Sequence, residues 1–305
     1  MHGRSFAYTT LLLTAAIWGV AGPVIKFTLG GIATLNFLTY RFAISAALAL
    51  LSVPFGGLRL PKDRKTLALV ALYGFLTTTV ALGLLFLGLE KTTVLEMTFL
   101  TLIGPLLIVT AGALFLREHV TRREKTGIAI ALVGVILTTL EPILRNGASV
   151  SQVTGNLLII LYLLANTASA VLVKRLMRAG IPPVSLTNFS FIIGFLTILP
   201  LSLLGGGLGG ITSAIRGLDL PYHLGVLYMA ALSGNLAYAL WARAQRTIEI
   251  GEAALFSYLY PVFAAPLAIL WLGEKITLPF VAGAVIISLG VFIAEYRSSL
   301  RKPKT

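Results

Sequence analysis

The sequence predicts an all-α integral membrane protein: ten transmembrane helices arranged as two five-helix repeats of inverted topology. Three observations predict it. Of 305 residues, 57% are hydrophobic and 11% charged, against about 25% charged in an average soluble chain. The apolar residues gather into ten runs of about 20, the length of helix that crosses a hydrocarbon core. A set of Pro, Glu, Thr and Gly positions in the first half also recurs in the second at a constant offset of 156 residues.

The runs are 6–29, 32–54, 66–89, 94–116, 123–141, 154–178, 184–205, 221–247, 251–272 and 277–296. The first follows Met1, His2, Gly3 and Arg4 as a signal peptide would. It stays apolar well past the usual core of about 7–15 residues and leads into another run, so it is read as a span. The second contains Tyr40-Arg41-Phe42. The third carries Tyr73 and Thr77 on one stripe. The fourth opens with Glu96 in its first turn and holds Pro105 mid-span. On the sixth, Tyr162, Asn166 and Ser169 fall at i, i+4 and i+7, one face of a helix. The seventh leads into GGGLGG (205–210), which lacks the Lys and Ser/Thr of a phosphate loop and is read as the flexible start of a loop. The eighth contains GNLAYALWARAQ (234–245), where Asn235, Tyr238 and Gln245 share a stripe flanked by Trp241. The ninth has Glu252 and Pro261, and the tenth follows Glu274 and Thr277.

Charge sets the expected orientation. With the N-terminus inside, 18 Lys and Arg fall on the cytoplasmic side, among them Arg59, Lys62, Arg64, Lys65, Arg117, Arg122, Arg123, Lys125, Arg243 and Arg246. The other side holds five, Lys26, Lys91, Arg145, Arg216 and Lys275, and Arg41 lies within a span. Such asymmetry places both termini in the cytoplasm of a cell inner (plasma) membrane protein. It also explains the net charge of +13 through anionic lipid, with no nucleic-acid partner, since no polar domain exists to carry a basic face. The absence of cysteine excludes disulfides and thiolate chemistry.

The repeat aligns residues 104–135 with 260–291. It pairs Pro105 with Pro261, Glu118 with Glu274, Thr121 with Thr277, Gly127 with Gly283 and Gly134 with Gly290, and Glu96 with Glu252 keeps the offset. Two greasy helices share leucines by chance, but hardly these residues in one register. Five spans is an odd number, so the second unit (149–305) enters the membrane upside down relative to the first (1–148), the inverted-repeat plan of secondary transporters.

These features resemble the drug/metabolite transporter superfamily, specifically ten-span proteins with two EamA-type halves. The resemblance rests on WGVAGPVIKF (18–27), on YRF (40–42), and on Pro105 to Glu118 and Pro261 to Glu274, each followed by a Gly-rich span. It extends over essentially the whole chain. It implies a basket of helices around a central cavity and passage of small metabolites, often amino acids, or sometimes toxic compounds. The second half has LLANTASAVLVKR (163–175) where the first has Trp18-Gly19, so the halves are not chemically equivalent.

Polar groups within spans are expensive, about 2.5–3.5 kcal/mol for a central charge, and each has two readings. Lys26 either snorkels to the outer interface or serves function. Arg41, too deep to snorkel, forms a structural ion pair or carbonyl cap, or it contacts substrate or a gate. Glu96 and Glu252 favour helix N-termini by about 0.3–1 kcal/mol, or they gate or bind protons at opposite mouths. Pro105 and Pro261 kink their spans and form a candidate pair of hinges. Glu118 and Glu274 are read as caps and loop anchors.

The stripes point to one shared polar cavity. Its candidate lining is Trp18, Tyr73, Thr77, Tyr162, Asn166, Ser169, Asn235, Tyr238, Trp241 and Gln245, with Arg41, Glu96, Glu252, Pro105 and Pro261 as gating or coupling candidates. An enzyme is not expected: the histidines are His2, His119 and His223, all in loops or termini, and no metal-spaced cluster or catalytic constellation exists. Rings of charge or a carbonyl filter for a channel are also missing. The expectation is a monomeric, cofactor-free carrier that meets only lipid and a small substrate, most plausibly an amino acid, and works by alternating access. The alternative is a proton-coupled exporter of cationic or amphipathic drugs.

Overall fold

In a medium without water each backbone amide must be satisfied inside its own segment, and every regular element among the described residues is helical. The computed structural model describes residues 4–59, 61, 63–116, 121–144, 150–244 and 255–295. The first half contains α1 (Arg4–Leu29), α2 (Thr34–Leu51), and α3 (Arg64–Gly74), which runs through a π-helical stretch (Phe75–Leu82) into α4 (Gly83–Lys91). Then come α5 (Val94–Thr101), α6 (Gly104–Leu116) and α7 (Arg122–Leu144). The second half contains α8 (Val150–Arg178), α9 (Pro183–Leu203), α10 (Gly207–Arg216), and α11 (Leu220–Leu227), which passes through a second π-helical stretch (Tyr228–Leu236) into α12 (Ala237–Ala244). A 3₁₀ turn (Leu255–Leu259), α13 (Tyr260–Leu270) and α14 (Leu278–Glu295) complete it.

Among the described residues, six helices are long and apolar enough to cross a membrane, and four further apolar helices are shorter. Leu114, Leu204, Leu270 and Leu278 point outward and are largely exposed, an apolar surface of the kind lipid covers. Inside, buried Thr14, Thr28 and Thr139 return their hydroxyls to the carbonyls of Thr10, Val24 and Val135 one turn earlier.

Local chemistry sets the helix ends. The Asp63 side chain accepts from the Thr66 amide at 2.7 Å to start α3, and Thr93 accepts from the Glu96 amide at 3.1 Å to start α5. Proline occupies the first turn of α9 and α13, where its missing N–H costs nothing. Just after α8, Gly180 takes φ 83°, a left-handed turn that glycine adopts without strain.

Successive long helices alternate in direction. At one end Lys26 reaches Thr92, Thr34 donates to Glu90, and Phe27 stacks between Tyr222 and Trp271. At the other, Asn188 donates to Ser52 and Gly57, and the Arg59 amide donates to Ser185. The glycine-rich helices α7 and α14 are also antiparallel, with Gly127 packed on Gly290 and Ala294, and Gly134 on Ile287 and Gly283. Under the offset of 156, the contact of Gly127 with Gly290 is the image of the contact of Gly283 with Gly134. Such a self-complementary pair is what a two-fold axis across the helices produces.

Three expectations change. Pro105 and Pro261 do not kink continuous helices: each is the second residue of a new segment, α6 or α13, after a non-α interruption. Both spans are broken ahead of the proline, which removes the clash a mid-helix ring would make. GGGLGG is not wholly loop, since α10 begins at Gly207 and tucks Ile211 against the protein. Finally, the third and eighth runs are not plain α-helices. Their π-helical stretches overlap under the same offset of 156, and such widened turns collect at functional positions.

Candidate functional site

Trp18, on α1, is the hub where elements of both halves meet. Its ring lies 5.1 Å from that of Tyr238 on α12, 5.3 Å from Trp241 and 6.4 Å from Tyr260 at the start of α13. Phe191 of α9 closes on Tyr238 at 6.0 Å. Tyr162, Tyr238 and Tyr260 are each half-buried.

The π-helical stretch beside it explains part of the lining. A widened turn leaves carbonyls aimed sideways, and side chains collect them: Trp18 Nε1 donates to Ser233 O at 2.9 Å, and Asn235 Nδ2 donates to Ala230 O at 3.2 Å. Asn235 thus spends its amide N–H on its own helix. Ser169 likewise returns its hydroxyl to Ala165 O, while Asn166 is half-buried on the same helix. Thr77 is buried, and the Tyr73 hydroxyl faces Thr77 and Ser190. Arg243 is exposed, with its guanidinium 5.2 Å from the Phe6 ring. Gln245 lies outside the described residues.

Arg41 sits at 2% exposure in α2, its guanidinium carbon 5.2 Å from the Phe86 ring and 5.6 Å from the Phe42 ring. Its Nε and Nη1 have no hydrogen-bond partner. Neither an ion pair nor a carbonyl cap holds it among the described residues, and the group within its electrostatic reach is Tyr238. Ring contacts return about 0.5–2 kcal/mol, less than the roughly 2.5–3.5 kcal/mol a charge costs at that depth.

Lys26 behaves differently. It does not snorkel: its ammonium donates to the carbonyls of Leu89, Glu90 and Thr92 at 2.8, 3.1 and 2.7 Å, capping the C-terminal end of α4, where the helix dipole favours a cation. Beside it the Glu274 carboxylate accepts from the amides of Val94 and Leu95 at 2.7 and 2.9 Å, an anchor at the start of α5. Burial raises the Glu274 carboxyl above its usual range, opposed by those amides and by Lys26. Glu96 is buried at the same end, accepting from Gln152 Nε2 and Thr92 Oγ1, both at 2.6 Å, and Thr92 also hydrogen-bonds Asn156. It ties α5 to α8, away from the tyrosine cluster. Glu252 and Glu118 lie outside the described residues.

The structure thus brings Trp18, Tyr238 and Trp241 into ring contact with Tyr260, packs Tyr73 and Tyr162 in neighbouring clusters, and keeps Glu96 apart. Sequence reasoning missed Tyr260 and Phe191. Tyr260 had a signal, because it precedes the repeat-paired Pro261.

Comparison with known proteins agrees with this architecture. The chain is 28% identical over 294 residues to the "Probable amino-acid metabolite efflux pump" of Salmonella typhimurium, covering 95% of each chain. It is 25% identical over 300 residues to the "Probable terminal-alkyne amino-acid exporter" of Streptantibioticus cattleyicolor, covering 98% of this chain and 96% of that one. A solved crystal structure shares the fold with a TM-score of 0.64 at 16% identity, over 96% of this chain and 98% of its own. The sequence model of the EamA-like transporter family matches twice, at residues 5–140 and 153–296, and this multi-pass membrane protein belongs to that family.

Proposed function

We propose that the protein is an alternating-access carrier of small polar metabolites, amino acids foremost. It sits in the cell's inner membrane with both termini cytoplasmic and acts as a monomer, with no cofactor and no nucleic-acid partner. The observation that carries this reading is the aromatic cluster where Trp18 of the first half meets Tyr238 and Tyr260 of the second. A site shared between two structural halves is one that rocking of the halves exposes to each side in turn. Relatives named for amino-acid metabolites support amino acids as the substrate class.

Proteoliposomes offered labelled amino acids and nucleosides, with and without a pH gradient, test the proposal. Uptake of one or more amino acids above protein-free liposomes is expected, and it should persist without the gradient. Uptake of nucleosides alone, or of nothing, overturns it.

A proton-coupled exporter of cations would need a carboxylate in the shared space. Glu96 is instead bound by Gln152 and Thr92, and Glu274 by the amides of Val94 and Leu95. Glu96→Gln is accordingly expected to leave transport and its pH dependence within about twofold of wild type, the side-chain amide replacing one charged partner among several. Loss of a pH-driven component in a folded Glu96→Gln protein would restore the proton-coupled reading. For orientation, single cysteines at Ser149 and Ser213 should react with an impermeant thiol reagent from outside, and one at Ser299 should not. The reverse pattern would show the charge asymmetry misread.

A further inference from the structure

We propose that Arg41 is the anchor for a substrate carboxylate and that the carrier therefore selects monoanions and zwitterions over cations. This deepens the proposed function and rests on it. The fold satisfies another cation beside an apolar run, giving Lys26 three carbonyl oxygens. It leaves Arg41 at 2% exposure with Nε and Nη1 unpartnered. The rings of Phe42 and Phe86 approach the guanidinium carbon and offer no acceptor. From the guanidinium the rings run on to the aromatic cluster, Phe42 lying 6.2 Å from Phe191 and Phe191 6.0 Å from Tyr238.

A guanidinium is a planar fork of donors that matches a carboxylate through two parallel hydrogen bonds. The site thus lacks the acceptor that a substrate carboxylate would bring. Charge chooses between anions. The single guanidinium of Arg41 balances one negative charge, so a carboxylate fits where a phosphate dianion would remain half neutralised. The remainder of the site is neutral: Tyr162, Tyr238 and Tyr260 offer hydroxyls, and Trp18 and Phe191 offer aromatic faces. An ammonium group can rest against these faces, but no carboxylate among the described residues there is placed to reward a cation without an acid group.

Thermal unfolding of the detergent-purified full chain tests this with three probes: phenylalanine, N-acetylphenylalanine and phenylalaninamide. The two acids are expected to stabilise the protein and the amide is not. Arg41→Gln should weaken phenylalanine binding at least tenfold, and Arg41→Lys should retain part of it. Equal stabilisation by the amide, or wild-type affinity in Arg41→Gln, overturns the proposal. Where Arg41→Gln does not fold, the comparison of the three probes on the wild-type protein decides alone. Acid and amide pairs of alanine, leucine and threonine, assayed for counterflow in proteoliposomes, separate this inference from the reading beneath it. Transport of acids and amides alike overturns the carboxylate anchor and leaves the carrier standing, whereas binding and transport of neither overturns both.

Discussion

Gly290→Leu is expected to abolish the monodisperse folded protein. A Cβ at Gly290 would lie 2.6 Å from the Gly127 carbonyl oxygen, and one at Gly134 would lie 2.7 Å from the Ile287 amide nitrogen. The atoms met are backbone, so no rotamer change relieves the clash. Overpacking of a core that can adjust costs about 1–3 kcal/mol, and two backbones pressed together adjust less. Lipid also offers the separated helices no hydrophobic penalty, since close packing of small residues is itself what drives association there. Gly83, where an added Cβ would meet nothing within 4 Å, supplies the control: Gly83→Ala should be neutral or gain up to about 1 kcal/mol. Size-exclusion profiles and melting temperatures in detergent measure both. A monodisperse Gly290→Leu that melts within a few degrees of wild type would show that α7 and α14 do not need this contact.

Tyr238→Phe is expected to lower transport about fivefold, with folding unchanged. The ring keeps its edge contact with Trp18 and its packing on Phe191. What disappears is the Tyr238 hydroxyl, which the proposed site offers to the substrate. One neutral hydrogen bond is worth about 1 kcal/mol, which is roughly fivefold. Asn235→Ala should also reduce transport, though by another route, because it strips the Ala230 carbonyl of a donor and loosens the π-helical stretch. Initial rates in proteoliposomes, normalised to folded protein, read both. If transport survives both Tyr238→Phe and Asn235→Ala, these side chains hold helices together and do not contact the substrate.

Legibility of the site followed periodicity. Tyr162 and Tyr238 were conspicuous as polar residues on apolar helical stripes, and both are half-buried. The same rule picked out Ser169 and Asn235, each of which returns a hydrogen bond to its own helix. A stripe states which way a side chain points, not whether its donors are already used. Tyr260 was missed because it stands where a 3₁₀ turn becomes α-helix, and no single period spans that junction. Lys26 was expected to reach outward, and it turns inward because α4 ends beside it with free carbonyls, a neighbour 63 residues away in the chain.

Sequence alone determines the solvent of this protein, its helical class, the family and the spacing of its repeated elements. Each follows from composition or local period, and those depend on nothing distant. Tertiary structure alone decides which polar groups are satisfied. Lys26, Glu96 and Arg41 look alike as costly ionisable residues in or beside apolar runs. Packing gives the first three carbonyls, gives the second a glutamine and a threonine, and leaves two nitrogens of the third without a partner. Burial makes an unsatisfied donor expensive, and whether a donor is satisfied depends on atoms contributed by other helices.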